Sequence, residues 1–182
     1  MQPIRKFARI LERIADREHY LFSLRDLNAV IPGQSQVSFR ALIRRMEKNN
    51  LLKRVCRGIY IYTKTDYPAG LVLYHAAARL RAHEFNYISL ESVLSDAGII
   101  SQIPTNWITL MSSGRSHIID CGTFGHIEFI HTKKAIKNVE SRVTYDSRCR
   151  LWRASVGLAL REMKQSRRNL DLIDWKAANE FI

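Results

Sequence analysis

Residues 39–63 read FRALIRRMEKNNLLKRVCRGIYIYT, and within these twenty-five positions the apolar spacing changes from that of a helix to that of a strand. Phe39, Leu42, Ile43 and Met46 recur at i, i+3, i+4 and i+7, the signature of one buried helical face. Val37, Arg40, Ala41, Arg44 and Lys48 project to the other side at about 100° per residue. Ser35 stands where an N-cap is wanted. From Leu51 onward, LLKRVCRGIYIYT reads as two short strands around a tight connection at Arg57-Gly58, the second rich in β-branched and aromatic residues. Seven of the twenty-five residues are Lys or Arg and only Glu47 is acidic. A cationic helix therefore gives way to a cationic ribbon.

Upstream, Ile4, Phe7, Leu11 and Ile14 share a helical stripe, with Pro3 in a first turn where proline is tolerated. After EHYLF, Ser23 is a second N-cap candidate, followed by Leu24, Leu27 and Ile31 on one line and ended by Pro32-Gly33. Three helices followed by a hairpin is the order of a winged helix-turn-helix, and this predicts a DNA-binding domain over residues 1–63. A helix of this kind has the width to enter a major groove. Arg40 and Arg44 are candidates for guanine edges, and Val37 and Ala41 for thymine methyls. Arg45, Lys48, Lys53, Arg54 and Arg57 are candidates for phosphate contacts, which position a protein without reading sequence. The competing reading is a solvated face bracing the fold.

Charge supports the first reading. The 182-residue chain carries 29 basic and 17 acidic residues, a net charge of +12 with a pI near 10.0. Such a balance favours polyanionic partners, nucleic acid first among them. Residues 1–62 hold 13 basic against 5 acidic residues and residues 63–182 hold 16 against 12, so the first third carries most of the excess. No apolar run approaches the ~18 residues a membrane span needs, which predicts a cytoplasmic protein without membrane attachment. Cys56, Cys121 and Cys149 are far apart and form no CxxC pair, so no disulfide framework or zinc site is indicated, and no cofactor is expected. TKTDYPAG, residues 63–70, is the strongest linker candidate and places a boundary at residues 64–70.

Residues 71–182 read as an α+β domain. LVLYHAAARLRAH suggests a helix with Leu71, Tyr74 and Ala78 on one side. In YISLESVLSDAGII, Ser89 is placed to cap a short helix containing Leu90, Val93 and Leu94, with Gly98 at its C-terminal left-handed position. WITLMS, HIIDC and HIEFIHT, separated by Ser113-Gly114-Arg115 and by residues 122–125, predict a small antiparallel sheet. A helix over about residues 148–164 and another in LDLIDWKAANEFI complete the domain.

An active site is not apparent. His126 and Glu128 share one face of a strand while His131 faces the other way, and the PCxxC that a zinc deaminase needs is absent. Asp120 and Glu128 could form a nuclease pair, yet Ile130 stands where a catalytic lysine would be sought. No GxxxxGK[ST], GxGxxG or GxSxG motif occurs. Ser89, Ser92 and Ser95 read as helix-start and exposed helix residues, and His75 and His83 are too far apart to chelate one metal. The expectation is a non-enzyme.

RGIYIY at the end of the hairpin, then YISLESVLSDAGII, GHIEFIH and RRNLDLIDW, in that order, resemble the AbiEi-type antitoxins of bacterial abortive-infection, type IV toxin-antitoxin systems. The resemblance spans nearly the whole chain through short, mostly structural motifs. It implies repression of the chain's own operon through the winged helix on double-stranded DNA. Winged-helix repressors often bind inverted repeats as two copies, which makes such repeats the expected operator and leaves open binding by single copies that meet only on DNA. It also implies neutralisation of a nucleotidyltransferase-like toxin through the C-terminal domain, without requiring a stable complex. Carried onto this sequence, DNA binding falls on Gln36, Ser38, Arg40, Arg44 and Arg45 and on the wing residues Lys53, Arg54 and Arg57. Exposed basic residues are the candidates for neutralisation: Lys133, Lys134, Lys137, Arg142, Arg148, Arg150, Arg153, Arg167 and Arg168. Two alternatives stay open: a stand-alone winged-helix regulator without a toxin, and a metal-dependent nucleic-acid-processing enzyme.

Overall fold

The computed structural model describes residues 3–101 and 106–181, which fall into two compact units, Met1–Val72 and Leu73–Ile182. The first runs α1 (Pro3–Ile14), β1 (Leu21–Ser23), α2 (Leu24–Val30), α3 (Gln36–Lys48), β2 (Leu52–Cys56) and β3 (Ile59–Tyr62). The three strands form an antiparallel sheet in the order β1-β3-β2. The arrangement fits a winged helix-turn-helix-like domain.

Its core is built from the apolar stripes of the three helices. Phe7, Leu11, Leu27, Phe39, Leu42, Ile43 and Met46 are buried against Leu52, Tyr60 and Tyr62 of the sheet. Each such side chain contributes about 1.5–3 kcal/mol relative to exposure. Two members of the expected stripes stay outside. Ile14 is 45% exposed because α1 ends there and Ala15 packs in its place. Leu24 is 37% exposed because it is the first residue after the cap, where the helix has not yet turned onto the core.

Ser23 forms a reciprocal capping box: its hydroxyl accepts from Asp26 N–H at 3.1 Å, and its own N–H donates to Asp26 Oδ2 at 2.8 Å. Strand β1 has no signature in the sequence. EHYLF looks like a link between helices, but Leu21 and Phe22 are buried and pair with Ile61 and Tyr60 of the hairpin.

The second unit contains α4 (Val72–Leu80), β4 (Asn86–Ile88), α5 (Glu91–Asp96), β5 (Trp107–Ser112), β6 (His117–Asp120), β7 (His126–His131), β8 (Val143–Asp146), β9 (Leu151–Ala154), α6 (Val156–Gln165) and α7 (Trp175–Ala178). Here the expected small antiparallel sheet is corrected. Among the described residues the sheet has six strands in the order β6-β7-β5-β4-β9-β8, and the pairs β5–β7 and β4–β9 are parallel. The reason lies in burial. WITLMS is almost wholly buried and needs neighbours on both sides, whereas HIID is exposed and goes to the edge, outside β7. Strand β6 then pairs antiparallel with β7, and β7 aligns parallel to β5.

Other expectations shift with it. In α4 the buried residues are Val72, Leu73, His75, Ala76 and Ala77, while Leu71, Tyr74 and Ala78 are only half-buried. Helix α5 begins one residue later than expected, with Leu90 at its N-cap and no side-chain cap, and Ser89 is turned inward instead. Gly98 does take the left-handed position after α5, at φ +71°, with Ile99 N–H donating back to Leu94 at 2.8 Å. The stretch expected to be helical from residue 148 begins as a turn and strand β9, and the helix proper starts after Ser155, whose hydroxyl caps it. The final helix is broken into short pieces around α7, and Ile182 lies outside the described residues.

Candidate nucleic-acid interface

Helix α3 is held at its start by Ser35, whose hydroxyl accepts from Ser38 N–H at 3.2 Å and donates to Ser38 Oγ at 3.0 Å. Of the two expected contact residues nearest that cap, Ser38 is thus partly engaged in holding the helix, while Gln36 is exposed and unengaged. Once Phe39, Leu42, Ile43 and Met46 turn inward, the 3.6-residue period forces Gln36, Val37, Arg40, Ala41, Arg44, Arg45 and Lys48 outward, and all are exposed. Val37 is 80% exposed, an isopropyl group in water that nothing in the fold covers. Arg40, Arg44 and Lys48 form no ion pair among the described residues, and Arg45 reaches back only to the Ala41 carbonyl at 3.5 Å. The cations of this face are not consumed by the fold.

The hairpin is set by two residues. Arg57 and Gly58 join β2 to β3, and Gly58 adopts φ +85°, a conformation that side-chain-bearing residues rarely take. Its carbonyl accepts from Leu24 N–H at 3.0 Å, tying the turn to the start of α2. Lys53, Arg54 and Arg57 are exposed. Arg54 is the register partner of Tyr60 and donates to the Cys56 carbonyl at 3.3 Å. Burial pushes the Tyr60 phenol up, nearby Glu47 adds to the rise and Arg54 opposes it.

The nine basic candidates of the second unit divide. Lys134 is held 3.0 Å from Glu162, a fully buried carboxylate of α6. Arg153 lies 2.6 Å from Asp96 and 3.3 Å from Asp146, and Arg168 lies 2.6 Å from Glu128 and 3.4 Å from Glu91. These three are bound up in the fold. Lys133, Lys137, Arg142, Arg148 and Arg167 are exposed, and Arg150 is half-buried at φ +58°.

The candidate enzyme residues are engaged as well. Glu128 accepts from Trp107 Nε1 at 3.1 Å, and His126 stacks on the Trp107 ring at 4.7 Å. Asp120 pairs in register with His126, not Glu128, and accepts from Gly122 N–H at 2.8 Å. His131 Nδ1 donates to the Gly114 carbonyl at 2.9 Å and His75 Nε2 to the Arg148 carbonyl at 2.7 Å, while His83 is exposed. All three cysteines are buried.

Sequence reading missed a buried polar network in this unit. Tyr87 and Ser89 hydroxyls donate to the two Glu162 oxygens at 2.5 and 2.6 Å, and Ser92 Oγ accepts from Thr109 N–H at 2.8 Å. Ser89 and Ser92, expected at a helix start and on an exposed helix surface, are therefore buried links between strands and helices. A glutamate at the centre of the apolar run LALREM gives no hint in sequence that it is the one turned inward. Among the described residues, no helix is long and apolar enough to cross a membrane.

Comparison with known families finds that residues 9–63 match the model of a family described as AbiEi antitoxin, transcriptional regulator. The match runs from the middle of α1 to the residue after β3, the stretch that carries the exposed cationic helix and hairpin. A search of curated proteins returns no match.

Proposed function

From that match we propose that the chain is a DNA-binding autorepressor and antitoxin of a bacterial toxin-antitoxin system, acting in the cytoplasm against a nucleotidyltransferase-like toxin. Residues 1–63 are the DNA-binding domain, 64–70 the linker and 71–182 the antitoxin domain. The reading is not enzymatic. The observation that carries it is the uncompensated outer face of α3, where Arg40 and Arg44 stand exposed beside Val37 within the family match.

In this reading α3 lies in the major groove of double-stranded operator DNA. Arg40 and Arg44 bond guanine edges, Val37 and Ala41 meet thymine methyls, and Gln36 and Ser38 contact the groove near the N-terminus of the helix. Arg45, Lys48, Lys53, Arg54 and Arg57 neutralise phosphates. Two copies occupy the halves of an inverted repeat. Neutralisation of the toxin rests on the exposed cations Lys133, Lys137, Arg142, Arg148 and Arg167, with Arg150 beside them.

The test is a competition gel-shift between the upstream DNA of the chain's own operon and unrelated duplex. Arg40→Ala with Arg44→Ala is expected to abolish most of the preference, each base contact being worth about 1–3 kcal/mol of discrimination. A folded double variant with unchanged preference would show that these side chains do not read the operator.

One observation favours a second reading, a stand-alone winged-helix regulator: the family match stops at residue 63 and leaves the second unit unassigned. Absence of a toxin gene beside this one, with operator binding intact, would select it.

A further inference from the structure

The hairpin of β8 and β9 presents two aromatic side chains to solvent. Tyr145 is 52% exposed and Trp152 42% exposed, they are register partners, and their rings meet edge to face with centroids 5.6 Å apart. Trp152 is also the register partner of Tyr87, so three aromatic residues stand in a row across β4, β9 and β8. Tyr87 is covered, its hydroxyl bonded to Glu162 of α6, whereas the outer two are left open. Neither exposed ring is needed to fill a core.

The surrounding charge is one-sided. Residues 142–153 contain four arginines and one acid, Asp146, and that acid is occupied by Arg153. Arg142 immediately before β8 and Arg148 in the turn after it are exposed, and neither forms an ion pair among the described residues. Along the hairpin, the two-ring pair therefore lies between two exposed arginines, one before β8 and one in the turn after it. A ring face accepts an unstacked base and a guanidinium accepts a phosphate, the pairing by which single-stranded nucleic acid is held. Duplex DNA does not offer unstacked bases. Single-stranded stretches of RNA do.

We propose that the β8–β9 hairpin is a binding platform for single-stranded RNA, with bases stacked on Tyr145 and Trp152 and phosphates held by Arg142 and Arg148. The site shares no residue with the α3 face and does not depend on the function proposed for that face. Arg142 and Arg148 belong also to the surface proposed for neutralisation, whereas Tyr145 and Trp152 belong to the platform alone.

The experiment is fluorescence anisotropy of a labelled 12-nucleotide uridine RNA with the full chain, with a matching single-stranded DNA and an operator duplex run in parallel. Trp152→Ala and Tyr145→Ala are each expected to weaken RNA binding by roughly 5- to 150-fold, the loss of one base stack, while duplex binding stays unchanged. Trp152→Phe keeps a ring and restores most of the affinity. Arg142→Ala with Arg148→Ala lowers the slope of log K against log salt by about 1.4, two single-strand phosphate contacts. Tyr145 lies on an edge strand and is more than half exposed, so Tyr145→Ala decides the matter should Trp152→Ala fail to fold. RNA affinity unchanged in folded Tyr145→Ala overturns the platform, and so does the absence of any RNA binding by the unsubstituted chain. Equal affinity for the single-stranded DNA overturns the assignment to RNA. A dimer in sedimentation that dissolves in Tyr145→Ala assigns the rings to a second copy of the chain instead.

Discussion

Glu162 is fully buried yet has three partners, the hydroxyls of Tyr87 and Ser89 and the ammonium of Lys134. A carboxylate removed from water is tolerable only when its oxygens are this well satisfied. Its cost is largely set by what remains if it is deleted. Glu162→Ala strands two buried hydroxyls and a half-buried ammonium, and is expected to lower stability by about 3–5 kcal/mol in urea unfolding, whereas Glu162→Gln keeps acceptor geometry for one hydroxyl and loses less. Asp146 supplies a pH-dependent counterpart. Although burial pushes its pKa up, the Cys149 N–H at 3.1 Å, Arg153 and the Arg148 N–H at 3.0 Å pull it below the usual carboxylate value. A depressed folded pKa means stability that is present above the unfolded value, near 3.8, and lost as pH falls through the folded one. Asp146→Asn is therefore expected to be less stable than the parent at pH 7 and to lose that deficit as the pH falls below 3.8 and through the folded value, read by urea titration at neutral and at acid pH. Burial also pushes the Cys149 thiol up to about 11, with Asp146 adding to the rise, so it should react slowly with thiol reagents at pH 8 until the chain unfolds.

At the level of elements, the proposed DNA binding asks something different of the hairpin β2–β3 than of α3. Its cations, Lys53 and Arg54 on β2 and Arg57 in the two-residue turn with Gly58, have no helical register to aim them at base edges. Replacing all three by Ala should weaken binding to every duplex alike and reduce the salt slope, by about 0.9 for each phosphate no longer neutralised. An unaltered slope would remove the hairpin from the interface. Gly58→Val should have a related effect by straining the turn that presents these residues. The same hairpin shows what sequence makes legible. Local periodicity announced α3, its cap at Ser35 and the strands on either side of Arg57-Gly58, because each is specified by residues within one or two turns of chain. Strand β1 escaped, since three residues have no period and are strands only because Ile59–Ile61 pair with them. The parallel alignments of β5 with β7 and of β4 with β9 escaped for the same reason, being set by which strands must be buried on both edges. Among candidate site residues, exposure of the α3 face followed from period alone. The capture of Lys134, Arg153 and Arg168 by Glu162, Asp96, Asp146, Glu91 and Glu128 did not, because each partner lies on a distant element.

For the whole molecule, the division into two compact units bears on how the two proposed activities would be divided within one chain. The family match and the uncompensated cations of α3 lie in the first unit, while the second has its own six-stranded sheet, its own polar core and its own exposed basic residues. A protein built this way should lose repression and antitoxicity by separate substitutions. In the full chain, Arg40→Ala with Arg44→Ala is expected to release a reporter driven by the chain's own promoter while cells expressing the neighbouring toxin still grow. Lys133, Lys137, Arg142, Arg148 and Arg167 replaced together by Ala should do the reverse, keeping repression and losing growth rescue. The two readouts are taken from the same strains, with expression checked by immunoblot. Rescue that disappears with Arg40 and Arg44 would mean that antitoxicity is exerted through the promoter, and the second unit would then need another role, for which the Tyr145–Trp152 hairpin is the first place to look.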